Sequence, residues 1–273
     1  MRFAIIYSKL NPAGKLIVEE FIKLAYAPQF PIIELSKETI YSEDISEKKY
    51  PELRGIDFLI FASTHRSEKG NPSLSLHAPG NWRNADLGGQ AGKVCKTSAF
   101  ILKYLFQELN KNYEENKQEL NEVYQITLEV THHGPLTNIP CCFIELGSTE
   151  KQWKDSIAAK IIAKTIFSLQ NYDSNFIASH PWQAVIGIGG PHYCNNFNKI
   201  QLKGSYAISH IIPEYCLPLT ESMLREAEEK TLENVKEVLI DWKGSGNSES
   251  RQNIMSIIER HGLKVKRTEK VEK

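Results

Sequence analysis

Gly55-Ile56-Asp57-Phe58-Leu59-Ile60-Phe61-Ala62 is dominated by β-branched and aromatic residues and runs directly into the polar sequence Ser63-Thr64-His65. A run of this kind suits a strand covered on both faces, as at the centre of an α/β sheet. Toward the N-terminus, Phe3-Ala4-Ile5-Ile6-Tyr7 reads as a first strand. Residues 13–26 then place Leu16, Ile17, Phe21 and Leu24 on one helical face. A βα opening ahead of a buried strand sets the class as α/β.

Past the central run, residues 63–92 carry two histidines, Trp82 and many glycines, prolines and asparagines, and read as one long loop. Loops of that length inside compact domains are usually functional or disordered, and the aromatic and histidine content here disfavours disorder. A helix is expected over 93–110, with Val94, Phe100, Ile101, Tyr104, Leu105 and Leu109 as its apolar side. Residues 124–131 alternate strictly: Tyr124, Ile126, Leu128 and Val130 form one face and Gln125, Thr127, Glu129 and Thr131 the polar other. A strand over 141–146 precedes Thr149-Glu150-Lys151-Gln152, whose T-x-x-Q form predicts a capping box opening a helix through Leu169. Further strands are expected near 184–188, 207–211 and 237–240, with helices near 221–236 and 248–260. The expectation is a single α/β domain over 1–273 with a mixed, largely parallel sheet flanked by helices. Residues 110–122 read either as a solvated helix end or as an insertion.

Composition narrows the class of function. Of the 273 residues 41% are apolar, and 33 basic side chains balance 33 acidic ones. This excludes a disordered tail, a disulfide mini-scaffold and a collagen-like fibre. No apolar run approaches the roughly 20 residues that a membrane span needs, and the N-terminal strand is too short for a signal peptide. Five cysteines (Cys95, Cys141, Cys142, Cys194 and Cys216) without framework spacing suit a reducing compartment, so a cytoplasmic protein with no membrane partner is expected. Zero net charge argues against tight, general nucleic-acid binding. The locally basic end, with Lys264, Lys266, Arg267, Lys270 and Lys273, reads as a solvated final strand and tail.

Chemistry concentrates in three places. Seven of the eight histidines lie between His65 and His210, mostly just past a predicted strand or in a Gly/Pro-rich loop. Loops at strand ends are where α/β proteins build active sites. Residues 63–81 bring His65, Ser67, His77 and Asn81 into one segment able to polarise a carbonyl or move a proton near neutral pH, or else to form an Ω-loop held by Ser and Asn hydrogen bonds. Thr131-His132-His133-Gly134-Pro135 follows the alternating strand. Adjacent histidines diverge there, so one of the pair is expected in a pocket; His133 continues the polar phase and is favoured, and Glu145 reads either as its orienting group or a general base, or as a strand carboxylate with a surface role. In Gly187-Ile188-Gly189-Gly190-Pro191-His192-Tyr193 a strand enters a glycine turn whose amides can approach an anion or oxyanion, as a plain tight turn would also explain.

No CxxC, HExxH or GxSxG occurs, and the glycine turn lacks the spacing of a phosphate loop. Hydrolysis by an activated water is the reaction best matched to these groups. Histidines from separate strand ends, with Glu145 and Cys194, can also assemble a metal site that spacing does not display.

The S-x-H-x-S…G-x-P-S-L…H-x-x-G-N pattern from Ser63 to Asn81, T-H-H-G-P at 131–135, E-L-G-S-T-E-x-x-W at 145–153, G-G-P-H-Y at 189–193 and S-H-I-I-P-E-Y at 209–215 together resemble the archaeal and plant type of D-aminoacyl-tRNA deacylase. The resemblance spans nearly the whole chain. Pro191 and Ser209 depart from the family pattern without removing a histidine.

The resemblance implies hydrolysis of the ester between a D-amino acid, such as D-tyrosine, and tRNA, for chiral proofreading and tRNA recycling. It implies a zinc cofactor, a transient D-aminoacyl-tRNA partner, and a core like that of peptidyl-tRNA hydrolases and the phosphorylase/hydrolase fold. Its motif positions here are His65, Ser67, His77, Asn81, His133, Glu145, His192, Tyr193 and His210. The expected catalytic set is His133, His192, Glu145 and His65. Ser67, His77, Asn81, Gly189, Gly190, Tyr193 and His210 are expected to bind substrate, with His65, His133 and His192 as metal ligands. In this scheme Gly189, Gly190 and Asn81 stabilise the oxyanion and Lys203, Lys264 and Arg267 meet tRNA phosphates, in a monomer. The alternatives are a metal-dependent amidase, a nucleoside-phosphorylase-like enzyme, or a noncatalytic tRNA-binding protein.

Overall fold

A computed structural model describes residues 1–24 and 30–271. The chain opens with β1 (Phe3–Ser8), α1 (Pro12–Leu24), β2 (Ile32–Leu35) and β3 (Phe58–Thr64), and β1 pairs in parallel with both β2 and β3. Asn11 starts α1 by accepting the amide of Gly14 at 2.8 Å. The expected end of that helix, at Tyr26, lies outside the described residues. Along β1 and β3 alternate residues feed opposite sides: Phe3, Ile5, Phe58 and Ile60 enter the core shared with α1, whereas Ala4, Ile6, Leu59 and Phe61 enter a second core on the other face.

The presumed long loop holds β4 (Ser73–His77) and β5 (Gly80–Asn81). This corrects the loop reading. Ser73-Leu74-Ser75-Leu76-His77 alternates with period two, but every residue is buried, because β4 lies inside the sheet rather than at its surface. Next come β6 (Lys93–Val94), paired to β5, and α2 (Ala99–Asn116), which starts at its Ser98 cap, later than expected. Residues 110–116 are its last turns; Asn112 donates to Thr165 Oγ1 at 3.2 Å, so they pack against the protein rather than forming an insertion.

β7 (Gln125–Leu128), β8 (Cys141–Gly147) and α3 (Ser156–Phe167) complete the first layer. Thr149 and Gln152 do bond to each other, but they hold a short 3-10 turn, Gln152–Lys154; α3 has its own cap, Asp155. The first sheet runs β2-β1-β3-β8-β4-β7, parallel except where β4 opposes β8.

After α4 (Ser174–Ser179), a second, wholly parallel sheet is built from β9 (Gln183–Ile188), β10 (Tyr206–Ile212), β11 (Glu237–Ile240) and β12 (Lys264–Arg267), ordered β10-β9-β11-β12. Its helices are α5 (Asn195–Leu202), α6 (Glu221–Glu229) and α7 (Ser248–Arg260). The mixed, largely parallel architecture therefore holds, divided into two main sheets instead of one. A seam joins them just beyond β7: Val130 donates to His192 O at 3.1 Å, Thr131 to Ile211 O at 3.0 Å, and Cys194 to Leu128 O at 3.1 Å. Among the described residues no helix is long and apolar enough to cross a membrane.

Candidate active site

Strand alternation assembles the site. In register, Ser63 of β3 sits beside Glu145 of β8, Glu145 opposite Ser75 of β4, and Ser75 beside Thr127 of β7. One face of the sheet thus carries a polar stripe that His77 and Glu129 extend. The polar face of residues 124–131, expected to be merely polar, is in fact buried: Thr127, Glu129 and Thr131 are all enclosed, because the seam to the second sheet covers them.

Five imidazoles and two carboxylates meet on this stripe. His65 Nδ1 is 3.1 Å from Glu129 and 3.5 Å from Glu145, and its Nε2 is 2.8 Å from the Tyr193 hydroxyl. His192 Nε2 approaches Glu129 at 3.2 Å and His132 Nε2 at 3.6 Å. His77 Nε2 lies 3.8 Å from Glu145, with its ring stacked on Phe143 at 5.4 Å between centroids. His133 stands edge-on to His77 at 4.8 Å. Both members of the His132-His133 pair enter the cluster. The strand alternation that favoured one of them ends here, since His133 takes a left-handed conformation with φ 45° that turns its side chain back toward His132.

Backbone carbonyls fix three tautomers. His77 Nδ1 is 3.2 Å from Ala78 O, His132 Nδ1 2.8 Å from Val130 O, and His133 Nδ1 2.6 Å from Gly134 O. A carbonyl only accepts, so each Nδ1 carries the hydrogen and each Nε2 presents a lone pair. The His132 lone pair faces a Glu129 oxygen at 3.6 Å with no proton in between, and His77 Nε2 stands 3.8 Å from Glu145, where burial opposes a charge on the ring but Glu145 raises its pKa. Both Glu129 oxygens and His77 Nε2 are buried without a hydrogen-bond donor. Acceptors facing acceptors in a buried site are costly unless a cation joins them.

The charges agree. Burial opposes ionisation of Glu129, yet the close approach of His192 and the charge of His65 hold its carboxyl down, and His65 and His77 do the same for Glu145. Burial likewise opposes a charge on His65, but bonding to Glu145 and the nearby carboxylates raise it; burial, reinforced by His77, lowers His132 and His133.

A metal ion fits this donor set. His77, His132 and His133 offer ligand atoms within 4.8 Å of one another, and so do His65, Glu129 and His192. Three imidazoles that each have Nδ1 tied to a backbone carbonyl and Nε2 turned into the cluster suit zinc. Relative to the expected ligands His65, His133 and His192, the geometry splits that set between these two groups, and a third group, His77, Glu129 and Glu145, overlaps both, so that His77, His132, Glu129 and Glu145 are added. Cys194 is buried and takes part in none of the three.

His65, His132, His133, His192 and Glu145 of this cluster line a cavity of about 420 Å³, with His77 and Glu129 behind them and Leu10, Glu38, Ile40, Arg66 and Leu87 also in the lining. Other expected contacts fall elsewhere. Gly189 and Gly190 give their amides to Ile212 O at 2.8 Å and Gly244 O at 2.9 Å, so neither has an N–H left for an oxyanion. Their positive φ and tight approach to residues 241–245 show why glycine is needed: this is a turn packed on the second sheet. Asn81 donates to Gly88 O at 2.8 Å and steadies the 87–89 turn. His210 is fully buried behind Thr131, which it meets at 3.2 Å, and it does not reach the cavity. Ser67 is half-buried and lies outside the cavity lining. Glu129 was missed as a functional residue. Its one signal was its place in the polar phase, three residues ahead of His132.

Comparison with known proteins bears on what this cavity does. The family model described as D-aminoacyl-tRNA deacylase matches residues 53–266. The D-aminoacyl-tRNA deacylase of Thermococcus kodakarensis is 33% identical over 237 residues, covering 85% of this chain and 82% of that protein. That of Methanocaldococcus jannaschii is 31% identical over 279 residues, covering 98% and 100%. Among solved structures, a conserved protein of unknown function superposes with a TM-score of 0.87 at 26% identity, covering 99% of this chain and 96% of that one.

Proposed function

The chain belongs to the D-aminoacyl-tRNA deacylase family, and from that premise we propose that its imidazole and carboxylate cavity hydrolyses the ester between a D-amino acid and the terminal ribose of tRNA. Water adds to the acyl carbon, the ester C–O bond breaks, the ribose oxygen takes a proton, and free D-amino acid and reusable tRNA leave. Aminoacyl esters are labile, so the enzyme has mainly to position the ester, activate a water and stabilise developing negative charge.

The residues divide this work by geometry. His192, with 37% of its side chain exposed, stands at the cavity opening; if its Nε2–H is given to Glu129, its Nδ1 is free to take a proton from water. His133 has the same capacity at Nε2, because its Nδ1 is tied to Gly134. Tyr193 fixes His65, which is in turn held by Glu129 and Glu145. Zinc held by His77, His132 and His133, or by His65, Glu129 and His192, would supply a Lewis acid that lowers the pKa of water and polarises the ester carbonyl. Five buried free cysteines support a reducing, cytosolic location for this activity.

The observation that carries this reading is the convergence of His65, His77, His132, His133 and His192 on Glu129 and Glu145 inside a family-matched chain. It is tested by measuring amino-acid release from D-tyrosyl-tRNA and L-tyrosyl-tRNA by the purified protein, with and without prior chelation, and by His133→Ala. Selective loss of the D-ester, abolished by the variant and by chelation, is expected. Absence of D-selective hydrolysis with zinc supplied overturns the assignment.

A further inference from the structure

Three carboxylates line the cavity or stand behind its lining, and two are already engaged. Glu129 has three imidazole nitrogens around it, and Glu145 faces His65 and His77. The third, Glu38, comes from a different segment of the chain. It lies in the segment after β2, immediately before the 3-10 turn Thr39–Tyr41, so it is not carried by the sheet that supplies the imidazoles. Its backbone is well held: its carbonyl accepts the amide of Tyr41 at 3.1 Å and the hydroxyl of Ser42 at 3.0 Å, and Thr39 beside it is buried. Its side chain caps nothing and, among the described residues, meets no cation within 4.0 Å.

Two apolar residues share the rim with it. Leu10 and Leu87 are 56% and 51% exposed and give the cavity lining an apolar surface. Leu87 is presented on a rigid turn: its carbonyl accepts Gly134 N at 2.9 Å, and Gly88 lies so close to Ile40 that a Cβ there would fall 1.9 Å from the Ile40 carbonyl oxygen. The cavity lining therefore combines three chemically different groups from separate segments of the chain: imidazoles, a carboxylate without a cation partner, and exposed leucines.

We propose that Glu38 binds the α-ammonium group of the aminoacyl ester, and that Leu10 and Leu87 take its side chain, so that these three contacts together select the hand of the α-carbon. The inference rests on the deacylase reading above and names the specificity elements of the same cavity. An α-aminoacyl ester has one cationic group, one bond from the carbon that bears the reacting carbonyl. With the carbonyl over the imidazoles, that cation needs an anion in the same lining, and Glu38 is the one lining carboxylate not already matched with imidazoles. Two enantiomers share every group and differ only in arrangement, so discrimination requires a third fixed contact beyond carbonyl and ammonium. The leucine rim supplies it.

The test compares D-tyrosyl-tRNA with 3-(4-hydroxyphenyl)propionyl-tRNA, the same ester without its amine, using the whole wild-type protein, Glu38→Gln and Glu38→Lys. A charge-assisted contact corresponds to roughly 10- to 100-fold in kcat/KM. Wild type is expected to favour the amine-bearing ester by that factor beyond the intrinsic difference in ester lability. Glu38→Gln should lose the preference while retaining hydrolysis of the amine-free ester and its melting temperature, and Glu38→Lys should reverse it. The ratio of D- to L-tyrosyl-tRNA hydrolysis should fall in both variants. An unchanged preference in Glu38→Gln overturns this proposal and leaves the deacylase reading standing. Failure of wild type to cleave D-tyrosyl-tRNA with zinc supplied overturns both.

Discussion

The Nδ1 of His65 lies 3.1 Å from a carboxylate oxygen of Glu129, although one residue follows β3 and the other leaves β7 at the far edge of the first sheet. The same carboxylate is 3.2 Å from His192, which comes from the second sheet. Glu129 is thus the point at which both halves of the fold meet the chemistry. Replacing it by Gln keeps the size and removes the charge that three imidazole nitrogens approach within 4 Å. Glu129→Gln is expected to lower kcat by about 10- to 100-fold, the scale for losing a group that supports metal ligands. Bound zinc should fall in parallel, measured by elemental analysis; full activity at wild-type zinc content would rule out this role.

His132 and His133 each offer an Nε2 lone pair to the cluster, so the two positions should be comparably sensitive. His132→Ala is expected to reduce hydrolysis to within about tenfold of the His133→Ala level, since ligands of one site contribute on a similar scale. Steady-state kinetics on D-tyrosyl-tRNA with both variants checks this. A nearly wild-type His132→Ala would show that only His133 serves the reaction.

Removal of metal should also be visible in stability. A ligand that binds only the folded chain adds about 2.7 kcal/mol at a free concentration 100 times its dissociation constant. Chelated protein should therefore melt several degrees lower than zinc-loaded protein, with recovery on adding zinc back. The orphaned acceptors of Glu129 and His77 give the physical reason. Identical melting curves would argue against zinc in this cluster.

Lys103 provides a pH test far from the site. It is fully buried on α2, donates to Gln201 O at 2.7 Å at the end of α5, and lies 5.7 Å from the Trp182 ring. Burial lowers its pKa from 10.5 to about 8. Between those values the unfolded chain binds a proton that the folded chain has released, so stability rises with pH across that window and the cost of burying the charge is constant below it. Relative to Lys103→Met, the wild type should gain at most about 3 kcal/mol between pH 8 and 10.5. Denaturant melts of both proteins across this range measure the difference; a flat difference contradicts the assigned burial effect.

Gly88 tests the rim without touching the imidazoles. Its φ of 74° and its closeness to the Ile40 carbonyl leave no room for a methyl group. Gly88→Ala should cost roughly 1–3 kcal/mol and lower activity by moving Leu87, with zinc content unchanged. Wild-type kinetics in a destabilised variant would separate the turn from substrate binding.

Much of this protein was legible in its residues. The run at 58–62 did become a central strand, β11 and α7 occur over the expected residues 237–240 and 248–260, and the motifs at 131–135 and 189–193 do sit beside the cavity. Local pattern settles such features, because strand period, helix period and caps are set by neighbours in sequence. Tertiary structure alone decided the rest. β4 looked like loop because its serines signal polarity, and only its place between β8 and β7 turns them inward. Gly189 and Gly190 resembled an anion cradle until the packing of the second sheet used their amides. Glu129 looked like one more polar residue on an alternating strand. Its environment is made by His65 and His192, which are 64 and 63 residues away in sequence. Burial and charge pairing depend on which distant segments share a face, and that is set by sheet order and by the seam between the two sheets, not by any local spacing.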